Sequence, residues 1–245
     1  MLMLTVAHVR LKLLSLLRSP AYVVGTLAMP SLILIFLGVG LADTTVEANT
    51  IMASFTVFAV MGIAFFQFGV GIAESRSSPW AIFERVLPAP VAVRLAGNAI
   101  SAVLFAAVAA GLVILVAHVF MPVALGAAAW LRLCLVLMAG SVPLSLLGVA
   151  IGYWVSSRAA LPVANIAYLG LAFAGGVFIP PQFFPDALDA ISHCLVSRHL
   201  VELAWSAVAD APWSAASWLW IACYTVAAFL LAGWGYRRDE GERYR

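Results

Sequence analysis

Six stretches of this chain, at about 20–42, 51–73, 95–120, 131–155, 161–179 and 214–236, contain no Asp, Glu or Lys, and the one Arg among them, Arg132, stands at an edge. Each meets the length of about 20 apolar residues that a helix needs to cross the hydrocarbon core. In that core a backbone must satisfy its own hydrogen bonds, and a run of this length does so as an α-helix. The expected fold is therefore all-α and polytopic, with six transmembrane helices in a single domain over 1–245. Composition agrees: 64% of residues are hydrophobic and 10% charged, against about 25% charged in soluble domains. This excludes a soluble enzyme, a disordered chain and a nucleic-acid binder, and a net charge of +2 is too small to recruit a polyanion. The first stretch exceeds the roughly 7–15 apolar residues of a signal peptide, and Asp43 follows it without a small-residue cleavage site.

The basic residues set the expected orientation. With the N-terminus cytoplasmic, Arg10, Lys12, Arg18, Arg76, Arg85, Arg94, Arg158, Arg237, Arg238, Arg243 and Arg245 lie inside, and only Arg132 and Arg198 lie outside. Six spans then return the C-terminus to the cytoplasm. The chain is expected in the cell (plasma or inner) membrane as a multi-pass protein.

Three pieces lie outside the spans. In residues 3–19, His8, Lys12, Ser15 and Ser19 share one helical face opposite an apolar one, the pattern of a helix lying in the interface. The loop 74–94 contains Ser78-Pro79, a helix-start pair, followed by Trp80, Phe83 and Leu87 on one face and closed by Pro88 and Pro90. Its apolar face fits either its own bundle or the groove of another protein. The third piece, 180–213, opens at Pro180-Pro181 and is too polar to span, because Asp189, His193, Arg198, His199 and Glu202 interrupt it. One or two short helices dipping into the outer leaflet are expected, with Leu188, Ile191 and Leu195 as their apolar edge and the polar residues on a solvated face. The Gly175-Gly176 pair before it allows close helix approach.

The chain has no Gly-x-x-x-x-Gly-Lys-Ser/Thr loop, no His-Glu-x-x-His and no Cys-x-x-Cys, so no nucleotide or metal is expected to be bound by this chain itself. The spans carry Gln67, Ser101, Asn165 and Tyr168 as candidate pathway residues but no midplane acid or base of the kind ion-coupled transporters use. If the protein moves a cargo, its energy enters from another subunit, most directly through the loop helix at 79–87.

The order of an interfacial helix, six spans and internal termini resembles the membrane-spanning subunit of ABC transporters of the type-2 permease family. Glu74-Ser75-Arg76 and Phe83-Glu84-Arg85-Val86-Leu87-Pro88, followed by Leu95-Ala96-Gly97, are similar to that family's coupling loop and entry to span three. Gly175-Gly176-Val177-Phe178-Ile179-Pro180 with Phe184-Pro185 and Glu202 looks like its Gly-x-Phe-x-Pro segment and outer re-entrant hairpin. The resemblance implies ABC ATPase subunits as partners, which bind the ATP and Mg, and a second permease copy or sister permease in the bilayer. It implies that Glu74, Arg76, Trp80, Phe83, Glu84, Arg85 and Leu87 couple to the ATPase. Gly175, Gly176, Phe178, Pro180, Phe184, Pro185 and Glu202 would shape an outer gate. The implied activity is export of a drug, lipid or lipid-linked glycan, a cargo class that suits the apolar spans. A membrane-embedded enzyme acting on lipids and an assembly factor without a pathway are the alternatives.

Overall fold

The structure, a computed structural model, describes residues 9, 10, 14, 18, 23–78 and 91–243. The loop helix expected at 79–87, and all but four residues of the interfacial helix expected at 3–19, lie outside the described residues. Among the described residues six helices are long and apolar enough to span: α1 (Val24–Leu41), α2 (Thr45–Ser77), α3 (Val91–Phe120), α4 (Ala127–Trp154), α5 (Ser157–Ala174) and α8 (Ala215–Arg243). Between α5 and α8 stand two shorter helices, α6 (Asp186–Ser192) and α7 (Val196–Val208). Among the described residues there is no strand.

Local chemistry explains the element ends. Thr44 accepts a hydrogen bond from the Glu47 backbone N–H while the Glu47 carboxylate accepts one from the Thr44 N–H, so a complete capping box starts α2. In α1, Pro30 has no N–H to donate and crowds the preceding turn, and the turns on both sides of 29–33 are widened to π-helix. Span five ends earlier than the prolines at 180–181 suggest. Its last helical residue is Ala174, and Gly176 reverses the chain at φ +82°, a conformation glycine adopts without a Cβ penalty.

α2 is the axis of the bundle. In the apolar 18-residue stretch of its span 78% of residues are buried, against 22% in those of α5 and α8. Phe55, Phe58, Phe65, Met52 and Met61 on α2 are buried almost completely. At 33 residues and 1.5 Å per residue α2 is about 50 Å long, well beyond a hydrocarbon core of about 30 Å. Its last turns, carrying Glu74 and Arg76, therefore project past that core or the helix tilts steeply. In mid-helix, residues 64–70 form a π-helical segment against Gly148 of α4, where a Cβ would collide with the Ala64 carbonyl. The two backbones touch there because Gly148 has no side chain.

α7 is the second buried element. Leu200 packs directly on Gly140, about halfway along α4. At its far end, Arg132 near the start of α4 donates to Asp210 at 2.5 Å and to the Ala211 carbonyl. α7 thus runs from the middle of the bundle out to one end of it. Val196, Leu200, Val201, Leu203 and Ala204 are its buried face, whereas Ile191, expected on the apolar edge, is exposed.

Candidate functional site

Three places gather the residues singled out by sequence. The first is the interior where spans two and five meet the hairpin. Tyr168 of α5 stacks on Phe58 of α2 at 4.4 Å, and its hydroxyl donates to the Phe58 carbonyl at 3.3 Å. Phe178 packs edge-on against the same Phe58 at 4.7 Å. Gly62 leaves the room the Tyr168 ring occupies, for a Cβ there would lie 3.3 Å from the hydroxyl. Gly175 lies under Ser197, whose hydroxyl donates to the Leu171 carbonyl at 2.7 Å, and Gly176 lies against Pro181. The glycine pair therefore brings the hairpin onto the end of α5. Pro180 and Phe184 are half-buried and Pro185 is exposed.

Of the four candidate pathway residues, Gln67, Ser101 and Tyr168 are buried within the chain's own packing. Asn165, ninth of the 18 residues of α5, is exposed. It shares an outward stripe with Pro162, Ile166, Gly170 and Phe173, all exposed.

The second place is an ion network that the sequence reading assigned to a solvated face. Arg198 is only 8% exposed and His199 only 5%. Arg198 donates to Glu202 at 2.5 Å, to Asp189 at 3.2 Å and to the Ser192 hydroxyl at 3.0 Å. His199 lies within hydrogen-bond distance of the Ser217 hydroxyl and the His193 carbonyl, and stacks on Trp220 at 5.4 Å. The solvated-face expectation fails for Arg198 and His199, because α7 packs inside the bundle rather than on it, whereas His193 is exposed and Asp189 and Glu202 are partly so. A charge carried inside must be paired, and here one guanidinium meets Glu202 on its own helix and holds α6 to α7 through Asp189 and Ser192. A cavity of about 340 Å³ lies beside it, lined by Pro181, Gln182, Asp189, Arg198 and Trp205. The spans are free of acids at mid-length, yet α7 carries Arg198 to about half the length of α4. Hydropathy could not reveal this, because the residue sits in a segment too polar to count as a span.

The third place is the end of α2. Glu74 is exposed. Arg76 is engaged inside the chain: Nε and Nη2 donate to Asp239 of α8 at 3.0 and 2.5 Å, and Nη1 donates to the Gly152 carbonyl of α4 at 2.5 Å. Asp239 was not singled out by sequence, since one of three acids mixed with the arginines of the tail 237–245 gives no periodic signal. Trp80, Phe83, Glu84, Arg85 and Leu87 lie outside the described residues. Among the described residues no three His, Cys, Asp or Glu side chains are grouped so as to hold a metal ion.

A helical bundle with six helices of spanning length among the described residues, and a short helix pair folded into it, defines a multi-pass membrane protein. The chain matches the ABC-2 type transporter family over residues 4–208 and belongs to that family. It is also 28% identical over 194 residues to a Bacillus subtilis (strain 168) protein named as a transport permease, YvfS, with 79% of each chain covered. No solved structure matches it. The chain is thus the transmembrane subunit of an ABC transporter, a family paired with separate ATP-hydrolysing subunits.

Proposed function

We propose that the chain forms, with a second permease subunit, the pathway of an ATP-driven exporter for amphipathic or hydrophobic cargo. The observation that carries the reading is Asn165. A side-chain amide exposed at mid-span would face lipid with its donors and acceptor unmet, which costs about 1–3 kcal/mol. A second permease set against the outward stripe of α5 removes that cost, because an amide can both donate and accept and so can pair with its own copy. The pathway then runs between two α5 stripes, with mostly apolar walls that do not replace the hydration of an ion or sugar.

In this reading the loop 74–94 receives the ATPase through Glu74, Trp80, Phe83, Glu84, Arg85 and Leu87, on the cytoplasmic side. The ATP and Mg stay on the partner. The turn at Gly175, Gly176, Phe178 and Pro180, with Phe184, Pro185 and Glu202, shapes the outer exit. The buried Phe58–Tyr168–Phe178 contacts would pass a tilt of α5 to that exit.

The test is reconstitution of the purified permease with the ATPase that co-purifies with it, followed by export of fluorescent amphiphiles. Asn165→Cys, in a chain with Cys134, Cys194 and Cys223 replaced, is expected to form a disulfide-linked permease dimer. Asn165→Leu is expected to lower export about tenfold, the scale of one lost polar contact, with assembly intact. Absence of any co-purifying ATPase, or an Asn165→Leu variant as active as the parent, defeats the reading.

A further inference from the structure

The guanidinium of Arg76 ties together three helices that the sequence separates widely. It sits on the last turn of α2, just before the loop 79–90. Two of its nitrogens hold the Asp239 carboxylate near the end of α8, and the third holds the Gly152 carbonyl near the end of α4. Asp239 is 9% exposed, and the Arg76 side chain 23%. The arrangement is more than a surface ion pair. Arginine offers a planar fork that can meet a carboxylate with two nitrogens while a third reaches elsewhere, and here every arm of the fork is used.

The helices around it are packed as if to be moved together. A Cβ on Gly152 would stand 2.8 Å from Ile72 and 3.0 Å from the Gly69 carbonyl, so α2 and α4 touch backbone to backbone beside the guanidinium. Arg76 also lies over the Tyr153 ring at 5.4 Å, and Tyr153 meets Tyr236 of α8 edge-on. Trp154 donates to the Leu231 carbonyl at 3.2 Å, packs on Trp234 at 4.8 Å, and carries Arg238 over its ring at 5.3 Å. Gly235 makes room for Trp154, since a Cβ there would come within 2.7 Å of it. The ends of α4 and α8 therefore form one aromatic joint, and Arg76 fastens the end of α2 to it.

We infer that Arg76 is a positioning residue that locks the exit of α2 to α4 and α8, so that a displacement of the 79–90 loop moves three spans as one body. The inference rests on the loop receiving the ATPase. Without the lock, a push on the loop bends the last turns of α2 and is dissipated there. With it, the push reaches α8 through Asp239 and α4 through Gly152. Arg76 then acts through its own chain and leaves contact with the ATPase to the exposed Glu74 and the loop.

Two measurements on the full-length chain in lipid nanodiscs test this. The first needs no partner: hydrogen–deuterium exchange of residues 71–78 and 233–239 in the permease alone. Asp239→Asn keeps the size of the side chain but removes its charge, and is expected to speed exchange of both segments about tenfold, the scale of a lost charge-assisted hydrogen bond. The second is ATP hydrolysis by the permease with its co-purified ATPase. Asp239→Asn and Arg76→Ala are each expected to lower permease-dependent stimulation about tenfold without loss of the ATPase from the complex, while Arg76→Lys and Asp239→Glu recover most of it. Unchanged exchange in Asp239→Asn overturns the lock, and stimulation equal to the parent's in that variant overturns its role in coupling. If Arg76→Ala fails to fold, Asp239→Asn and Arg76→Lys carry both measurements. If no ATPase accompanies the parent chain, the coupling reading fails while the exchange result still decides whether the lock exists.

Discussion

Gly148 and Gly111 are both glycines in spanning helices, and the structure gives them opposite weights. At Gly148 an added Cβ meets the backbone carbonyl of Ala64, an atom that cannot rotate away, whereas at Gly111 it meets nothing within 4 Å. Gly148→Ala must part α2 from α4 and should cost about 1–3 kcal/mol, the usual penalty for overpacking. Gly111→Ala should stay within about 0.5 kcal/mol of the parent. Thermal unfolding in detergent, followed by intrinsic tryptophan fluorescence, separates them, and equal melting of the two variants contradicts the close approach. Arg198 carries a different burden. Arg198→Met removes the cation that Asp189 and Glu202 share and leaves two carboxylates facing each other. Breaking a buried pair in this way costs about 3–5 kcal/mol. Asp189 and Glu202 are 41% and 33% exposed here, so water takes up part of that and a loss of about 2–3 kcal/mol is expected. Further replacement of Asp189 and Glu202 by Asn and Gln should return part of the loss, a recovery readable in the same melting curve.

The helices themselves were largely legible, because a span announces itself by length and apolarity alone. The boundaries and the hairpin were less so. The prolines at 180–181 mark where a helix cannot continue, but α5 had already ended at Ala174 because Gly176 takes a positive φ. A proline is visible as a stop, whereas a glycine reads equally as a stop, a hinge or a packing notch. α7 misled for a related reason. Its Arg and Glu are four residues apart and look like a solvent face, yet the pair is intrahelical, and the opposite face carries Leu200 into the gap beside Gly140. Burial of a charged helix is set by partners far away in sequence, here Asp189 and Ser192 from α6 and the glycine in α4, so one-dimensional periodicity does not reach it. The hairpin turn is testable on its own terms. Gly176→Ala forces a left-handed conformation on a residue with a Cβ, at about 1–2 kcal/mol, and drives that Cβ to 2.8 Å from Pro181. It should loosen residues 175–185 to protease while α7 stays protected.

Apart from the Arg198 network inside the bundle, the charges among the described residues sort to two ends, and an arginine fastens each end. Arg132 joins the start of α4 to Asp210 and Ala211, and Arg76 joins the end of α2 to Asp239 and Gly152. The end with Arg76 also carries Arg158, Arg237 and Arg238, all exposed, whereas Asp43 and Glu47 are exposed at the other. Placing the arginine-rich end in the cytoplasm follows the rule that basic loops resist translocation, and it puts the 79–90 loop where ATP is available. The geometry of the bundle is the same either way up, so orientation is a separate physical claim and needs its own measurement. In a chain whose three cysteines are replaced, Asp43→Cys and Arg237→Cys introduce thiols at exposed positions outside the described hydrogen bonds. A membrane-impermeant maleimide applied to intact cells should label Asp43→Cys at once and Arg237→Cys only after the membrane is opened. The reverse pattern would put the loop on the side without ATP and remove the proposed route by which hydrolysis drives the spans, while leaving the Arg76 lock standing as a feature of the fold.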